Sequence, residues 1–366
     1  MRQDHGFAPV HWRAPERGTS EEDVMASQKE MVELFTRELA LCKVSKGETV
    51  AVLSLGDSLR DYARAFLTAV KKLGAKAVDV NLPAGRSTSA SDRLKDFGKN
   101  PLADNPKAMA KLKAADMVVD LLVASFSKQE LEIRAAGPRM LLVCEDFEIL
   151  KRLFPTPELR ARTEAALARL REARKFRFTN LLGTDITYEF DRKYRPLMEY
   201  GYVAEPGRWD HWPAGLVANC ARDGGVNGRV VMNEGDIIYP RMHFLSESIE
   251  FMIENGEVTR IKGGKEADEL KRWMDGYKDP RAYAVSHVGW GTHTGAEWSL
   301  KGIGMDGRSY YGNILFSLGP NVEFGGRNDT PCHLDLPMRG CSAWLDDERI
   351  IANGRLLPDD LRATGL

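Results

Sequence analysis

The chain has 366 residues, 43% hydrophobic and 29% charged, long enough for one large domain or two and ordinary for a soluble globular protein. Its 52 basic residues stand against 53 acidic ones, a net charge of −1, so no overall field favours nucleic acid or an anionic membrane, and a small neutral or singly charged partner is expected. The five cysteines, Cys42, Cys144, Cys220, Cys332 and Cys341, are widely spaced and form no C-x-x-C, which argues against a disulfide framework or a structural zinc knuckle and suits a reducing cytoplasm.

Residues 1 to 20 read as a polar N-terminal extension with Arg2, Arg13 and Arg17 and no apolar core of a signal peptide. From Ser20 an amphipathic helix runs to about Leu41, followed by a strand Thr49 to Leu55, the turn Gly56-Asp57-Ser58 and a helix to about Leu73. The alternation continues as strand Ala77 to Leu82, helix Pro106 to Ala114, strand Met117 to Val123, helix Lys128 to Ala136 and strand Met140 to Cys144. That alternation predicts a mostly parallel, doubly wound α/β domain over 21–175, ending near a helix Pro157 to Lys175. The most apolar stretch, Met117 to Phe126, is interrupted by Asp120 and reads as a buried strand, not a membrane span.

After Phe176 short strands and turn signals take over: Thr184 to Phe190, Arg229 to Met232, Asp236 to Tyr239, and a hairpin Ser248 to Ile253 and Val258 to Ile261 around Asn255-Gly256. A helix Lys265 to Gly276 interrupts them, and Ile314 to Leu318 and a hairpin Cys341 to Leu357 close the chain, so 176–366 reads as an α+β domain. The pairs Gly224-Gly225, Gly263-Gly264 and Gly325-Gly326 sit where turns are wanted. Gly56-Asp57-Ser58 after the first strand resembles neither a P-loop nor a G-x-G-x-x-G fingerprint, and no G-x-S-x-G or H-E-x-x-H pattern is present, which turns the reading away from nucleotide binding, serine hydrolysis and zincin chemistry.

Within the second half, Thr330-Pro331-Cys332-His333-Leu334-Asp335 and Val285-Ser286-His287-Val288-Gly289-Trp290-Gly291 offer two imidazoles and a carboxylate. Alternate side chains of a strand share a face, so His333 and Asp335 can reach one ion while Leu334 packs behind them. Seven histidines in a chain with 53 acids give about one His-x-Asp match by chance, and the chain has one, so a packed histidine beside a strand-end aspartate explains the pair equally well until context is added. With His287 brought in by the fold, the three would form a facial triad for a mononuclear metal.

Five ordered blocks supply that context: Glu205-Pro206-Gly207-Arg208-Trp209-Asp210-His211-Trp212-Pro213, Ser286 to Gly291, Tyr311-Gly312-Asn313, Phe316-Ser317-Leu318-Gly319-Pro320-Asn321, and Thr330 to Pro337. Together they resemble the 2,5-dihydroxypyridine 5,6-dioxygenase family, over about residues 30 to 350. The resemblance implies an Fe(II) cofactor held by His287, His333 and Asp335, a hydroxylated ring and O2 as partners, cleavage to N-formylmaleamate, and association into a homo-oligomer. It also implies a fold similar to the aminopeptidase T-like metallopeptidases, which carry a glutamate where His287 stands and a ligand histidine where Leu315 stands. Loss of that second holder favours one iron over two hydrolytic metals.

Around the iron, His211 is the candidate acid/base or substrate-binding group, because imidazole titrates near neutral pH, with a loop-bonded structural histidine as its alternative. Ser317 matches a position near the substrate and could bond a ring hydroxyl or simply be satisfied by backbone. Trp209, Trp212 and Trp290 could wall a flat ring or pack in the core. His243 and His293 match no family role, and Asp236 falls near a peptidase carboxylate position. The family carries a substrate-contacting histidine where this chain has Phe126, which should shift the ring substituents tolerated. The rival readings are dioxygenation of a different hydroxylated aromatic, metallopeptidase activity, and a binding protein without catalysis.

Overall fold

The computed structural model describes residues 21–83, 101–124 and 127–363. The expected N-terminal extension, with His5 and His11, and Phe126 lie outside the described residues. The first half supplies helices α1 (Glu21–Leu41), α2 (Arg60–Lys72), α3 (Pro106–Lys113), α4 (Lys128–Ala135), α5 (Phe147–Arg152) and α6 (Pro157–Glu172), and strands β1 (Thr49–Leu55), β2 (Lys76–Leu82), β3 (Met117–Asp120) and β4 (Arg139–Val143). These strands are parallel and carry helices on both faces. Val50 and Val52 pack with Phe35 of α1 and Phe66 of α2, whereas Ala51 and Leu53 pack with Met109 and Leu112 of α3 and Ile133 of α4. Phe35 stacks on Phe66 with ring centroids 4.0 Å apart, and burying each such ring contributes roughly 1.5–3 kcal/mol.

Strand β3 ends at Asp120, three residues before the expected Val123. The Asp120 carboxylate accepts the backbone N–H groups of Leu122 (2.8 Å) and Ala124 (2.7 Å), which turns the chain out of the sheet and sets Val123 at φ 65°.

The second half supplies β5 (Lys175–Thr179), β6 (Asp185–Phe190), β7 (Leu197–Glu199), β8 (Trp209–Trp212), β9 (Leu216–Met232), β10 (Ile237–Ile238), β11 (His243–Phe244), β12 (Ile249–Glu254) and β13 (Glu257–Lys262), then helix α7 (Lys265–Asp275) and β14 (Val285–Gly291). Helix α8 (Met305–Ser309), β15 (Ile314–Leu318), β16 (Leu334–Met338), β17 (Ser342–Leu345), β18 (Glu348–Ala352) and β19 (Arg355–Leu356) complete it. Most of these strands build a 12-stranded sheet around the long β9, which pairs with β6, β7, β12 and β14. The expected strand Arg229 to Met232 is only the end of β9. Gly224-Gly225 does not end a strand there: Gly224, at φ 71°, lies inside β9, where the pairing with β6 shifts register, so the pair makes an irregularity within one continuous strand.

The division at residue 175 does not follow the sheets. Strand β8 returns to the first half and pairs parallel with β4, giving the order β2-β1-β3-β4-β8. At the carboxyl ends of three neighbouring strands stand Val123, three residues past β3, Leu142 of β4 and His211 of β8, all of which line one cavity. Ligands of open α/β sheets collect outside the carboxyl ends of the strands, and this cavity obeys that rule. Among the described residues no helix is long and apolar enough to cross a membrane.

Strand parity corrects the aromatic wall. Trp290 lies three residues beyond His287 on β14 and so faces away from it; its ring is fully buried and stacks on Phe176 at 5.9 Å in the core of the large sheet. Trp212 faces away from its neighbour His211 and packs edge-on against Phe35 at 5.8 Å. Only Trp209, two residues before His211 and on the same face, reaches the cavity. Trp290→Ala should therefore cost about 3–5 kcal/mol of folding stability, read as a lowered urea midpoint; a midpoint equal to wild type would remove Trp290 from the core.

Candidate metal centre and active cavity

Three antiparallel strands bring the donor groups together. Residue His287 sits on β14, Ser317 on β15 and Asp335 on β16, and Ser317 is registered directly opposite Asp335. His333 precedes β16 and shares its face with Asp335, while Leu334 between them is fully buried in the core, as alternation requires. His287 Nε2 lies 3.4 Å and His333 Nε2 3.3 Å from Asp335 Oδ1, and the two imidazole rings are 5.8 Å apart at 26°.

Hydrogen-bond accounting shows what this cluster lacks. The Ser286 hydroxyl donates to the Pro320 carbonyl, so its oxygen accepts from His287 Nδ1 at 3.1 Å. That assigns the ring proton to Nδ1 and leaves a lone pair on Nε2 aimed at Asp335. Ser317 Oγ contacts both His287 Nε2 (2.9 Å) and Asp335 Oδ1, yet one hydroxyl proton cannot serve two acceptors. The cluster is therefore rich in electron pairs and short of positive charge. Among the described residues no group of three or more His, Cys, Asp or Glu side chains stands in a metal-holding arrangement; here the Ser317 hydroxyl contacts two of the donors. The chemistry of the set nevertheless fits one cation: ligand atoms bound at roughly 2.0–2.2 Å on adjacent positions lie about 3 Å apart, close to the separations seen.

Asp335 is held ionised. Burial alone would raise its carboxyl, but His333 and the Arg308 guanidinium outweigh burial and hold it well below the usual carboxylate range. Arg308 Nε donates to Asp335 Oδ2 at 2.6 Å, and its guanidinium stacks 4.2 Å from the Tyr239 ring centroid.

Two buried carboxylates fix the short α8 that carries Arg308. Glu145, just beyond β4, accepts N–H groups from Ile303 (2.8 Å) and Met305 (2.9 Å). Gly302, at φ 61°, is required there because a Cβ would collide with the Glu145 carboxylate. Asp306 accepts a forked pair from Arg152 of α5 (2.9 and 2.6 Å) together with Glu297 N and Ser299 Oγ. The α/β half thus orients the guanidinium that neutralises Asp335.

The triad opens into a cavity of about 100 Å³, several times the roughly 10–15 Å³ that one water needs. Its walls are mostly apolar, with Leu197, Leu216, Pro240, Ile303, Leu315 and Phe324 prominent, and Trp209 and His211 close it from β8. Leu315 presents hydrocarbon to the cavity. His211 is neutral: burial, assisted by the charge of Arg308, pushes its imidazole down to about 3, so it does not titrate near neutral pH as its type suggests. Its Nε2 lies 3.7 Å from Cys144 Sγ.

Sequence reasoning missed three cavity residues: Arg308, Glu199 and Glu323. Burial, with Asp210 and Asp335 nearby, holds the Glu199 carboxyl well above the usual range, and burial pushes Glu323 up to about 7. A lone Glu on a short strand or turn carries no spacing signal. The other candidates stand elsewhere. His243 bonds Glu266 at 2.7 Å, His293 is buried and accepts from Gly295 N, and Asp236 caps a turn by accepting from Asn233 N and Arg339 N.

Residues 30–358 match the family profile of 2,5-dihydroxypyridine 5,6-dioxygenase. The 2,5-dihydroxypyridine 5,6-dioxygenase of Pseudomonas putida (strain KT2440) is 37% identical over 347 residues, covering 92% of this chain and 99% of the relative. The chain belongs to the 2,5-dihydroxypyridine 5,6-dioxygenase family. The solved structure of the 2,5-dihydroxypyridine dioxygenase from Pseudomonas putida KT2440 superposes with a TM-score of 0.88 at 36% identity, over 92% of this chain and 99% of that one. Wild-type AmpT from Thermus thermophilus superposes with a TM-score of 0.59 at 14% identity, over 90% of this chain and 100% of that one, a likeness of fold alone. The family and AmpT thus share a parallel α/β sheet joined to an antiparallel one.

The Glu145 contact carries a pH dependence. Burial pushes this carboxyl up to about 7 from an ordinary 4.5, despite the hydrogen bonds from Met305 and Ile303. The native state therefore binds its proton more tightly than the unfolded chain, so the stability from this group is full at acid pH and is lost as pH rises through about 7. Melting temperature measured from about pH 5 to 8 should fall less steeply for Glu145→Gln than for wild type; parallel curves would show that Glu145 does not titrate in this window.

Proposed function

We propose that this protein is an Fe(II)-dependent dioxygenase that opens the ring of 2,5-dihydroxypyridine, or of a close relative, to N-formylmaleamate. The observation that carries the reading is the 37% identity, over 92% of the chain, to a 2,5-dihydroxypyridine 5,6-dioxygenase. The two-imidazole, one-carboxylate cluster at the cavity floor supports it independently, because that donor set suits Fe(II) with positions left for other ligands.

His287, His333 and Asp335 would hold the iron. When bound, the iron supplies the redox chemistry that joins O2 to an electron-rich ring. The chain's own residues do the rest. Ser286 fixes the His287 tautomer at Nδ1, and Arg308 keeps Asp335 ionised and aimed. His211, neutral by burial, offers a lone pair to a ring hydroxyl without placing a charge in the cavity. Apolar walls, Trp209 and Phe324 among them, exclude water and hold a flat ring by shape. The overall conversion adds both oxygen atoms to the ring and releases one proton.

The shared fold with AmpT leaves peptide cleavage as the rival of another class, and the hydrocarbon of Leu315 in the cavity wall speaks against it. Oxygen uptake by anaerobically Fe(II)-reconstituted protein given 2,5-dihydroxypyridine, with ring absorbance followed in parallel, should show stoichiometric consumption that vanishes in His333→Ala. Uptake undiminished in that variant would sink the ligand set, and iron binding without uptake would move the substrate to another ring. Asp335→Ala should lower bound iron below half of wild type while the circular dichroism spectrum stays native; full iron content would remove Asp335 from the set. Phe126→His should raise kcat/KM for 2,5-dihydroxypyridine severalfold if that position selects ring substituents, and no change on any ring substrate would take it out of the pocket.

A further inference from the structure

Between β15 and β16 the chain makes a tight turn of 3-10 helix, Val322–Phe324, that inserts Phe324 and Glu323 into the cavity wall. The turn is firmly built. Phe324 N and Gly326 N both donate to the Asn321 carbonyl (3.2 and 3.0 Å), Asn321 and Asn328 bond each other twice (3.0 and 2.9 Å), and Arg195 N donates to the Phe324 carbonyl (3.0 Å). The Phe324 ring lies 5.3 Å from that of His287, which fixes the neighbouring Glu323 side chain beside the triad.

In that position Glu323 Oε2 is buried and has no hydrogen-bond partner among the described residues. Its surroundings explain why. The wall on this side is hydrocarbon, from Leu197, Ala218 and Phe324, and the cavity's guanidinium is already engaged by Asp335 and the Ile303 carbonyl. A buried carboxyl oxygen left without a donor is costly. That cost is removed if a bound molecule presents an N–H or O–H there.

We propose that Glu323 is a substrate-recognition residue: its carboxyl accepts a hydrogen bond from a ring N–H or hydroxyl, so that the cavity selects rings bearing a donor on the side facing Val322–Phe324. The proposal rests on the ring-binding part of the function above and not on the cleavage step. Such contacts discriminate well because an analogue lacking the donor leaves the protein group buried and unsatisfied. A hydrophobic wall alone cannot do this.

Calorimetric titration of the Fe(II)-loaded protein under strict anaerobiosis reads binding without turnover. The ligands are 2,5-dihydroxypyridine and its two mono-hydroxy analogues, 2-hydroxypyridine and 3-hydroxypyridine. Glu323→Leu should weaken 2,5-dihydroxypyridine about tenfold or more, whereas Glu323→Gln, which keeps an acceptor oxygen, should stay within about threefold. The analogue lacking the contacted donor should bind wild type and Glu323→Leu equally. Unchanged affinity in Glu323→Leu, or an equal loss for all three rings, overturns the proposal; iron content and circular dichroism check that the variant is folded, and Glu323→Ala takes its place if it is not. Wild type that binds the rings but consumes no oxygen defeats the dioxygenase reading and leaves the Glu323 comparison intact. Wild type that binds none of the three overturns both.

Discussion

A carboxylate buried at the junction of two sheets governs this molecule. Asp335 stays ionised because Arg308 and His333 face it, beside the imidazole of His287, and each of those groups arrives by a different route. The imidazoles come from the antiparallel sheet, His287 by way of β14 and His333 from the approach to β16. Arg308 stands on a helix of a single turn, too short to hold its own direction, and that helix is fixed by Glu145 and Arg152 of the α/β half. A buried charge without partners would cost several kcal/mol, so the two halves are tied to each other through the electrostatics of the site and not only through apolar packing.

The same site is short of positive charge in a way that protein groups do not resolve. His287 Nε2 and Asp335 Oδ1 both face the single proton of Ser317. Two imidazoles with one carboxylate are a donor set that would suit an ion of intermediate softness. The cavity above them is mostly hydrocarbon with a few polar groups, the composition of a small-molecule site. Neutral His211 and the carboxyls of Glu199 and Glu323 give it hydrogen-bonding edges.

The likeness to AmpT shows how little of this follows from architecture. Over 90% of the chain the two share a fold at 14% identity, a likeness of fold that says nothing of the residues lining the cavity. Chemistry resides in the site, and the fold only delivers residues to it.

Local pattern in the sequence determined the helix and strand alternation of 21–175, the hairpin around Asn255-Gly256, and the pairing of His333 with Asp335 about a buried Leu334, since each depends on a period or a turn within a few residues. Strand parity also separated Trp209 from Trp212 and Trp290, although it could be applied only once His211 and His287 were known to face the cavity. Tertiary structure alone decided that β8 leaves the second half to complete the first sheet, that β9 runs through Gly224-Gly225 unbroken, and that Arg308, Glu199 and Glu323 share one cavity. It also decided that His211 is neutral. These outcomes come from contacts between residues tens of positions apart, and from burial that moves a group's protonation away from its ordinary value; neither has a period, so neither can be read along the chain.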